Sequence, residues 1–161
     1  MGSIAVIRVD SRLIHGQVAV KWSKIAQASK IIVVDDESAS NDITKMILKA
    51  AAPANTKVFV YTVEKAFNKW EENLFGDGNV MMVFKTIDSC YRSYKTGLPM
   101  PKIQLGNCPK KDGFKALGNE VYASEKDVCK LKEMSDNGSE ITIQTIPDVP
   151  PISFEKALTK I

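Results

Sequence analysis

The chain contains a single histidine, His15, in the run Arg8-Val9-Asp10-Ser11-Arg12-Leu13-Ile14-His15-Gly16-Gln17-Val18. A neutral imidazole is a nucleophile that works near physiological pH. Arg8 and Arg12 place two guanidinium groups on either side of Asp10, and the planar guanidinium fork suits phosphate oxygens. Asp10 can orient an arginine or the imidazole. Gly16 adds no side chain that would obstruct an approaching group. A helix starting near it would offer free N–H groups and a positive dipole end. An imidazole beside an anion cradle suits accepting a phosphoryl group and giving it away again. The same residues also fit a plainer reading, with a hydrogen-bonded surface histidine, an Arg12–Asp10 ion pair and Arg8 as a strand-end charge.

Other chemistries are excluded by what the sequence lacks. One histidine rules out a two-histidine metal site within the chain, and with it H-E-x-x-H. The three cysteines, Cys90, Cys108 and Cys129, are odd in number and widely spaced. They argue against a disulfide framework or a zinc ribbon and predict a reducing compartment. No glycine is followed by lysine, so a Walker loop is absent, as are G-x-G-x-x-G and G-x-S-x-G. A net charge of +3, with Lys110-Lys111 as the densest basic run, is a poor match to a nucleic-acid binder. No apolar stretch approaches the ~18–20 residues of a membrane span. The N-terminus has no signal-peptide layout, and Val6 stands where a myristoylation signal needs Ser or Thr.

Positioning the histidine falls to an alternation of apolar runs and amphipathic segments. Residues 4–9, 30–34, 57–61, 79–84, 102–105 and 140–144 read as strands, several continuously apolar as expected when both faces are covered. Helical stripes lie between them. They are Val18, Trp22, Ile25 and Ala26, then Val63, Ala66, Phe67, Trp70 and Leu74, then Ile87, Cys90, Tyr91 and Tyr94 up to Gly97. Asn41 caps a further stripe, Ile43, Met46, Ile47, Ala50 and Ala51, that Pro53 stops. Ser124 to Asp127 reads as a capping box ahead of Val128, Leu131 and Met134. All these stripes are expected to face a core. The alternation predicts one α/β domain over 1–161, a three-layer α/β/α sandwich on a mainly parallel sheet of about six strands. Residues 106–123 read as a long loop or β-excursion with a short strand at 120–122. After Pro147, Pro150 and Pro151, a short helix is expected over 153–161. His15 then follows strand one, at the edge where open parallel sheets bind ligands.

The run from Arg8 to Val18 resembles the signature of the enzyme IIB component of the bacterial phosphoenolpyruvate:sugar phosphotransferase system (PTS), mannose/fructose/sorbose family. The likeness continues in family order through Ile32-Val33-Val34-Asp35-Asp36-Glu37, Asn41-Asp42, Ala51-Ala52-Pro53, Val63-Glu64-Lys65-Ala66, Lys85-Thr86 and Leu105-Gly106-Asn107. It spans essentially the whole chain. It implies a three-layer α/β/α fold and activity as a protein-Nπ-phosphohistidine–sugar phosphotransferase. The phosphoryl group would come from a phosphohistidine of a IIA domain, rest on Nδ1 of His15, and pass to a sugar held by the membrane components IIC and IID. The resemblance implies a cytoplasmic protein, peripheral to the inner face of the plasma membrane. It calls for no cofactor and no metal, and leaves a homodimer open.

By this resemblance His15 is the phosphoacceptor, Arg12 stabilises the phosphoryl group and Asp10 orients Arg12. Arg8, Gly16, Gln17, Thr62, Lys85 and Thr86 are secondary candidates for contact with the phosphoryl group or a partner, and Thr62, Lys85 and Thr86 fit surface or cap residues equally well. Asp35 and Asp36 are expected in structural or capping roles. Ser11 departs from the family's usual acidic residue, Cys108 from its usual methionine, and the 107–123 loop is atypical. The sugar stays open among mannose, fructose, sorbose and amino sugars. Gly97-Leu98-Pro99 and Leu105-Gly106-Asn107 lean towards the N-acetylgalactosamine branch. Two rival classes stay open as well. One is a receiver-like signalling domain using Asp35-Asp36, although Tyr61-Thr62 stands where its acceptor aspartate would be. The other is a non-catalytic anion- or sugar-binding domain.

Overall fold

The computed structural model describes residues 2–161, apart from the side chains of Gln17 and Val18. Seven strands form the main sheet. They are β1 (Gly2–Asp10), β2 (Ala28–Val34), β3 (Lys57–Tyr61), β4 (Gly78–Phe84), β5 (Lys102–Asn107), β8 (Glu140–Ile143) and β9 (Ile152–Ser153). A separate antiparallel ribbon pairs β6 (Lys115–Gly118) with β7 (Val121–Ala123). The helices are α1 (Gly16–Ile25), α2 (Asp36–Ala39), α3 (Asp42–Ala51), α4 (Val63–Asn73), α5 (Ile87–Thr96), α6 (Glu125–Asp136) and α7 (Phe154–Leu158). The sheet order is β3-β2-β4-β1-β5-β8-β9. Every pairing in it is parallel except β8 with β9.

The continuously apolar strands feed two cores because successive side chains point to opposite faces. On β2, Ile32 and Val34 join one cluster while Ile31 and Val33 join the other. The first cluster takes Ala66 of α4, Cys90 of α5, Leu131 of α6 and Phe154 of α7. The second takes Trp22 of α1 and Leu48 of α3. Helices therefore cover both faces, giving the expected three layers.

The caps read from sequence hold. Asn41 accepts from Thr44 N at 3.0 Å and Ser124 closes its capping box, and Thr86 closes a further box at the start of α5. Gly97 ends α5 with φ +104°, a conformation that costs glycine little. The 106–123 excursion is the β6–β7 ribbon, tied to Cys108 by Cys108 N to Glu120 O and Tyr122 N to Cys108 O, both 2.9 Å.

Two expectations about helix faces need correction, and the sheet, mainly parallel as expected, gains one strand beyond the six read from sequence. The stripe on α3 is not core: Ile43 and Met46 are 70% exposed and Ile47 63%, while Leu48 is buried. The helix packs mainly on α2 and β3. Only the line through Leu48 meets the second core. Ile25 likewise faces outward at the end of α1. The sheet also has a seventh strand. β9 folds back antiparallel on β8 through Thr142–Ser153 and Ile143–Ile152, which fixes the proline-containing tail and buries Phe154 and Ala157. Among the described residues, no helix is long and apolar enough to cross a membrane.

Cys90 and Cys108 are buried and Cys129 is exposed. Burial raises the Cys90 thiol and pushes Cys108 up to about 12, from an ordinary 9.0. At pH 8 an alkylating reagent is expected to modify Cys129 alone in the folded protein and all three thiols after denaturation, as read by intact mass. Between the ordinary value and about 12 the unfolded chain loses the Cys108 proton while the folded one keeps it. Stability therefore falls as pH rises through that window.

Candidate functional site

β1 lies between β4 and β5, and the helices leaving β1 and β4 pack on opposite faces of the sheet. A crevice opens at such a reversal, beyond the carboxyl ends of the strands. Asp10 ends β1 there, and the chain then turns sharply through Leu13 N to Asp10 O at 2.9 Å. Leu13 adopts φ +59° with its side chain buried, and Gly16 adopts φ +38°. A Cβ at Gly16 would meet open space. The glycine therefore serves the left-handed backbone there, and it leaves the approach to the loop clear.

Asp10 is 1% exposed and organises everything around it. Its carboxylate accepts from Arg12 N at 3.0 Å, Arg12 Nε at 3.2 Å and Arg12 Nη2 at 3.3 Å. It also accepts from Arg8 Nε at 3.4 Å and meets His15 Nε2 at 3.2 Å. An ionised carboxylate only accepts. Nε2 therefore carries the imidazole hydrogen, and Nδ1 keeps the free lone pair. His15 is the N-cap residue of α1, in extended conformation at φ −152°, and its side chain makes no cap bond. The ring is free to serve the site and is 22% exposed. The Arg12 side chain is 41% exposed, so part of its fork faces outward.

Arg8 does something different from what the sequence reading assigned. Its side chain is 2% exposed, and it donates to Gln104 Oε1, to Gln144 O at 2.9 Å and to Thr145 O at 2.6 Å as well as to Asp10. Its guanidinium also lies 5.2 Å from the Trp22 ring. A group this enclosed has no fork left to present to a phosphoryl group. It works as a buried clamp that holds Asp10 and ties the ends of β1, β5 and β8 together. Desolvation lowers its pKa from the usual guanidinium value, and the charge of Asp10 opposes that shift.

Of the two readings open for Thr62, the structure shows the cap. Thr62 caps α4 by accepting from Lys65 N at 3.0 Å. It follows β3, which β2 and β4 separate from β1, a span of about 14 Å at ordinary strand spacing. Thr62→Ala is expected to lower stability by about 1 kcal/mol through the lost cap, read by urea denaturation. Lys85 and Thr86, in contrast, follow the neighbouring strand β4 and line a cavity that Ser11 also reaches. The side chain of Gln17 lies outside the described residues. Asp35 caps α2 through Ser38 N at 3.0 Å. Asp36 accepts from Val63 N at 3.0 Å and pairs with Arg92 at 2.8 Å. These two bonds, the Val63 N–H first, hold its carboxyl below the usual range. Both carboxylates thus have the structural work expected of them, which takes away the acidic pocket of the receiver-like alternative.

Several supporting residues escaped the sequence reading. Gly106 is one, since a Cβ there would collide with the Arg8 guanidinium. Its one visible signal is a glycine inside a strand pattern, which often marks close approach. Gln104 and the carbonyls of Gln144 and Thr145 gave no signal, because nothing local marks them as partners of Arg8. Ser11 ties the loop to β5 through Asn107 Oδ1 and through Ser11 N to Asn107 O at 3.0 Å.

The chain is similar to known proteins over nearly its whole length. The family model described as "PTS system sorbose subfamily IIB component" matches residues 4–161. The chain is 32% identical over 147 residues to the sorbose-specific EIIB component of Lacticaseibacillus casei, covering 91% of this chain and 90% of that one. It is 29% identical over 158 residues to the mannose-specific EIIAB component of Escherichia coli, covering 98% of this chain but 49% of that longer protein. It thus spans about half the length of that relative. Among solved structures, manxB from Thermoanaerobacter tengcongensis superposes with a TM-score of 0.92 at 34% identity, over 99% of this chain and 97% of that one. By the full-length match of the family model and by these likenesses in sequence and fold, the chain belongs to the sorbose subfamily of phosphotransferase-system IIB components.

Proposed function

We propose that this protein is a phosphocarrier that accepts a phosphoryl group on Nδ1 of His15 from a phosphohistidine of a IIA domain. It then delivers the group to a sugar at the IIC and IID membrane components. The observation that carries this reading is the 3.2 Å contact between His15 Nε2 and Asp10 Oδ2. It leaves Nδ1 as the nucleophile in the neutral ring.

In the first transfer the Nδ1 lone pair attacks phosphorus as the bond from phosphorus to the donor imidazole breaks. The hydrogen stays on Nε2, donated to Asp10, throughout, so the ring gains positive character that the buried carboxylate stabilises. In the second transfer a sugar hydroxyl attacks phosphorus, the P–Nδ1 bond breaks, and the hydroxyl proton leaves to solvent or to the freed nitrogen. Little covalent help is needed in either step. Positioning and charge neutralisation supply the rate. Asp10 balances one of the two arginines, so the site holds one surplus positive charge against an incoming group of about −1.5 to −2. The outward part of the Arg12 fork would meet that group. A partial excess lets the phosphoryl group arrive without being trapped.

The sugars named for relatives, sorbose and mannose among them, mark the class expected of the acceptor. The site would act in the cytoplasm against the inner membrane face, where IIC and IID present the sugar. The mild positive charge would aid brief docking to an acidic partner surface.

The test is to incubate the purified protein with phosphoenolpyruvate, the general carrier proteins and a IIA domain, then read intact mass and map the phosphopeptide. One acid-labile phosphoryl group on the peptide containing His15 is expected. A stable phosphoryl group, or one on another peptide, would overturn the proposal. So would no gain with several active IIA donors. Arg12→Gln is expected to slow transfer about 10- to 100-fold, the size of one or two charge-assisted hydrogen bonds. Its fold should stay intact, since half-exposed Arg12 packs little.

A further inference from the structure

A cavity of about 520 Å³ opens beside the histidine loop, between Ser11, the start of α5, the start of α6 and the excursion that leads into β6. Its volume falls in the range of small-molecule sites. Four lysines line it, Lys85, Lys111, Lys126 and Lys130, against two carboxylates, Asp88 and Asp127. Lys130 is paired with Asp88 at 2.8 Å, and Lys111 lies 5.8 Å from the Phe114 ring. Lys85 and Lys126 have no ion-pair partner among the described residues. Both helix starts at the rim are already closed by their own capping boxes. Each box uses two of the free N–H groups at its helix start, and the lysines add the full charges that an anion requires.

The rest of the lining is not that of a bare anion site. Phe114 and Tyr122 contribute rings, with Lys111 Nζ 5.8 Å and Lys110 Nζ 6.0 Å from their respective centroids, and Ile87 and Pro109 add apolar surface. Asp127 gives one carboxylate oxygen to Ser124 N at 3.1 Å, and Asp88 gives one to Lys130. Each leaves its second oxygen to accept from a hydroxyl. Cations for a phosphate, acceptors for hydroxyls and rings for a C–H surface form the complement of one ligand class.

We propose that this cavity binds a hexose monophosphate, with the phosphate on the lysines and the sugar ring against Phe114 and Tyr122. Its choice of ligand rests on the phosphotransfer reading, in which such a molecule is the reaction's product. The cavity shares Ser11 with the loop that carries His15, so a bound product would crowd the face a IIA donor must approach. The domain would thereby load phosphate more slowly when product accumulates.

The experiment is calorimetric titration of the purified, unphosphorylated protein with mannose 6-phosphate and N-acetylgalactosamine 6-phosphate, and with mannose and inorganic phosphate alone. Saturable one-to-one binding is expected for at least one sugar phosphate, about tenfold or more tighter than for either fragment. In the double variant Lys111→Gln/Lys126→Gln that binding should weaken by about tenfold or more, the loss expected from charge-assisted hydrogen bonds. Both lysines are exposed, so the fold should survive, and circular dichroism checks it. Amide shifts in the wild type should centre on Phe114 and Tyr122. No saturable binding, inorganic phosphate binding equally well, an undiminished variant, or shifts centred on Arg12 and His15 would each overturn the proposal. Phosphoryl acceptance from IIA, read on the same samples without sugar phosphate, reports on the carrier role separately.

Discussion

Asp10→Asn is expected to slow phosphoryl acceptance by about 10²- to 10⁴-fold, approaching the total loss expected for His15→Ala. An amide is close to a carboxylate in shape, so the loop can keep its path. Its chemistry differs in two ways. It can donate as well as accept, so it no longer compels the Nε2–H tautomer that leaves Nδ1 free. The analogous change in a serine-protease triad, where the tautomer is lost with geometry intact, costs about 10⁴ in rate. The amide is also neutral, so it stabilises less of the positive character that the ring gains on attack. Against this, removing its charge leaves Arg8 and Arg12 unbalanced and strengthens attraction for the phosphoryl group. Positioning of the nucleophile outweighs that gain, because a phosphate bound beside the wrong tautomer cannot react. Rapid-quench measurement of the acid-labile phosphoprotein, at saturating phospho-IIA, separates the two effects. The rate constant should fall while apparent donor affinity holds or rises. A near-wild-type rate would show that Asp10 does not set the tautomer.

Arg8→Met is expected to lower stability by about 3–5 kcal/mol, the usual cost of removing one partner from a buried charge pair. Methionine fills much of the same volume, so cavity formation contributes little. The loss comes from the groups left behind. The carboxylate of Asp10 stays buried with one partner fewer, and Gln104 Oε1 and the carbonyls of Gln144 and Thr145 lose their donor. For a chain of this length each kcal/mol moves the midpoint by roughly 2–4 °C, so thermal unfolding should drop by about 10 °C. Arg8→Lys should recover only part of the loss, because a single ammonium cannot span the several acceptors that the fork reaches. Urea denaturation of the three proteins checks the order. Equal stability of wild type and Arg8→Met would mean that the clamp is not what holds the end of β1.

Much of this protein was determined by local sequence alone. The strands follow from apolar runs of the right length, and α5 and α6 from capping boxes closed within three residues. The His15–Asp10–Arg12 cluster was legible for the same reason. Its members are at most five positions apart, with contacts made inside one turn at the end of β1. What the tertiary structure decided involves partners far apart in the chain. Arg8 reads as a phosphate donor until Gln104, Gln144 and Thr145, 96 to 137 positions away, converge on it. Thr62 reads equally as a site residue or a cap until the sheet order puts two strands between it and β1. The stripe on α3 reads as core, since helical spacing shows which residues share a face and not where that face points. Periodicity and capping act over a few residues and are written in neighbouring side chains. Strand order, burial of a charge and the lining of a cavity arise only when distant segments pack, and no local pattern encodes which segments those are.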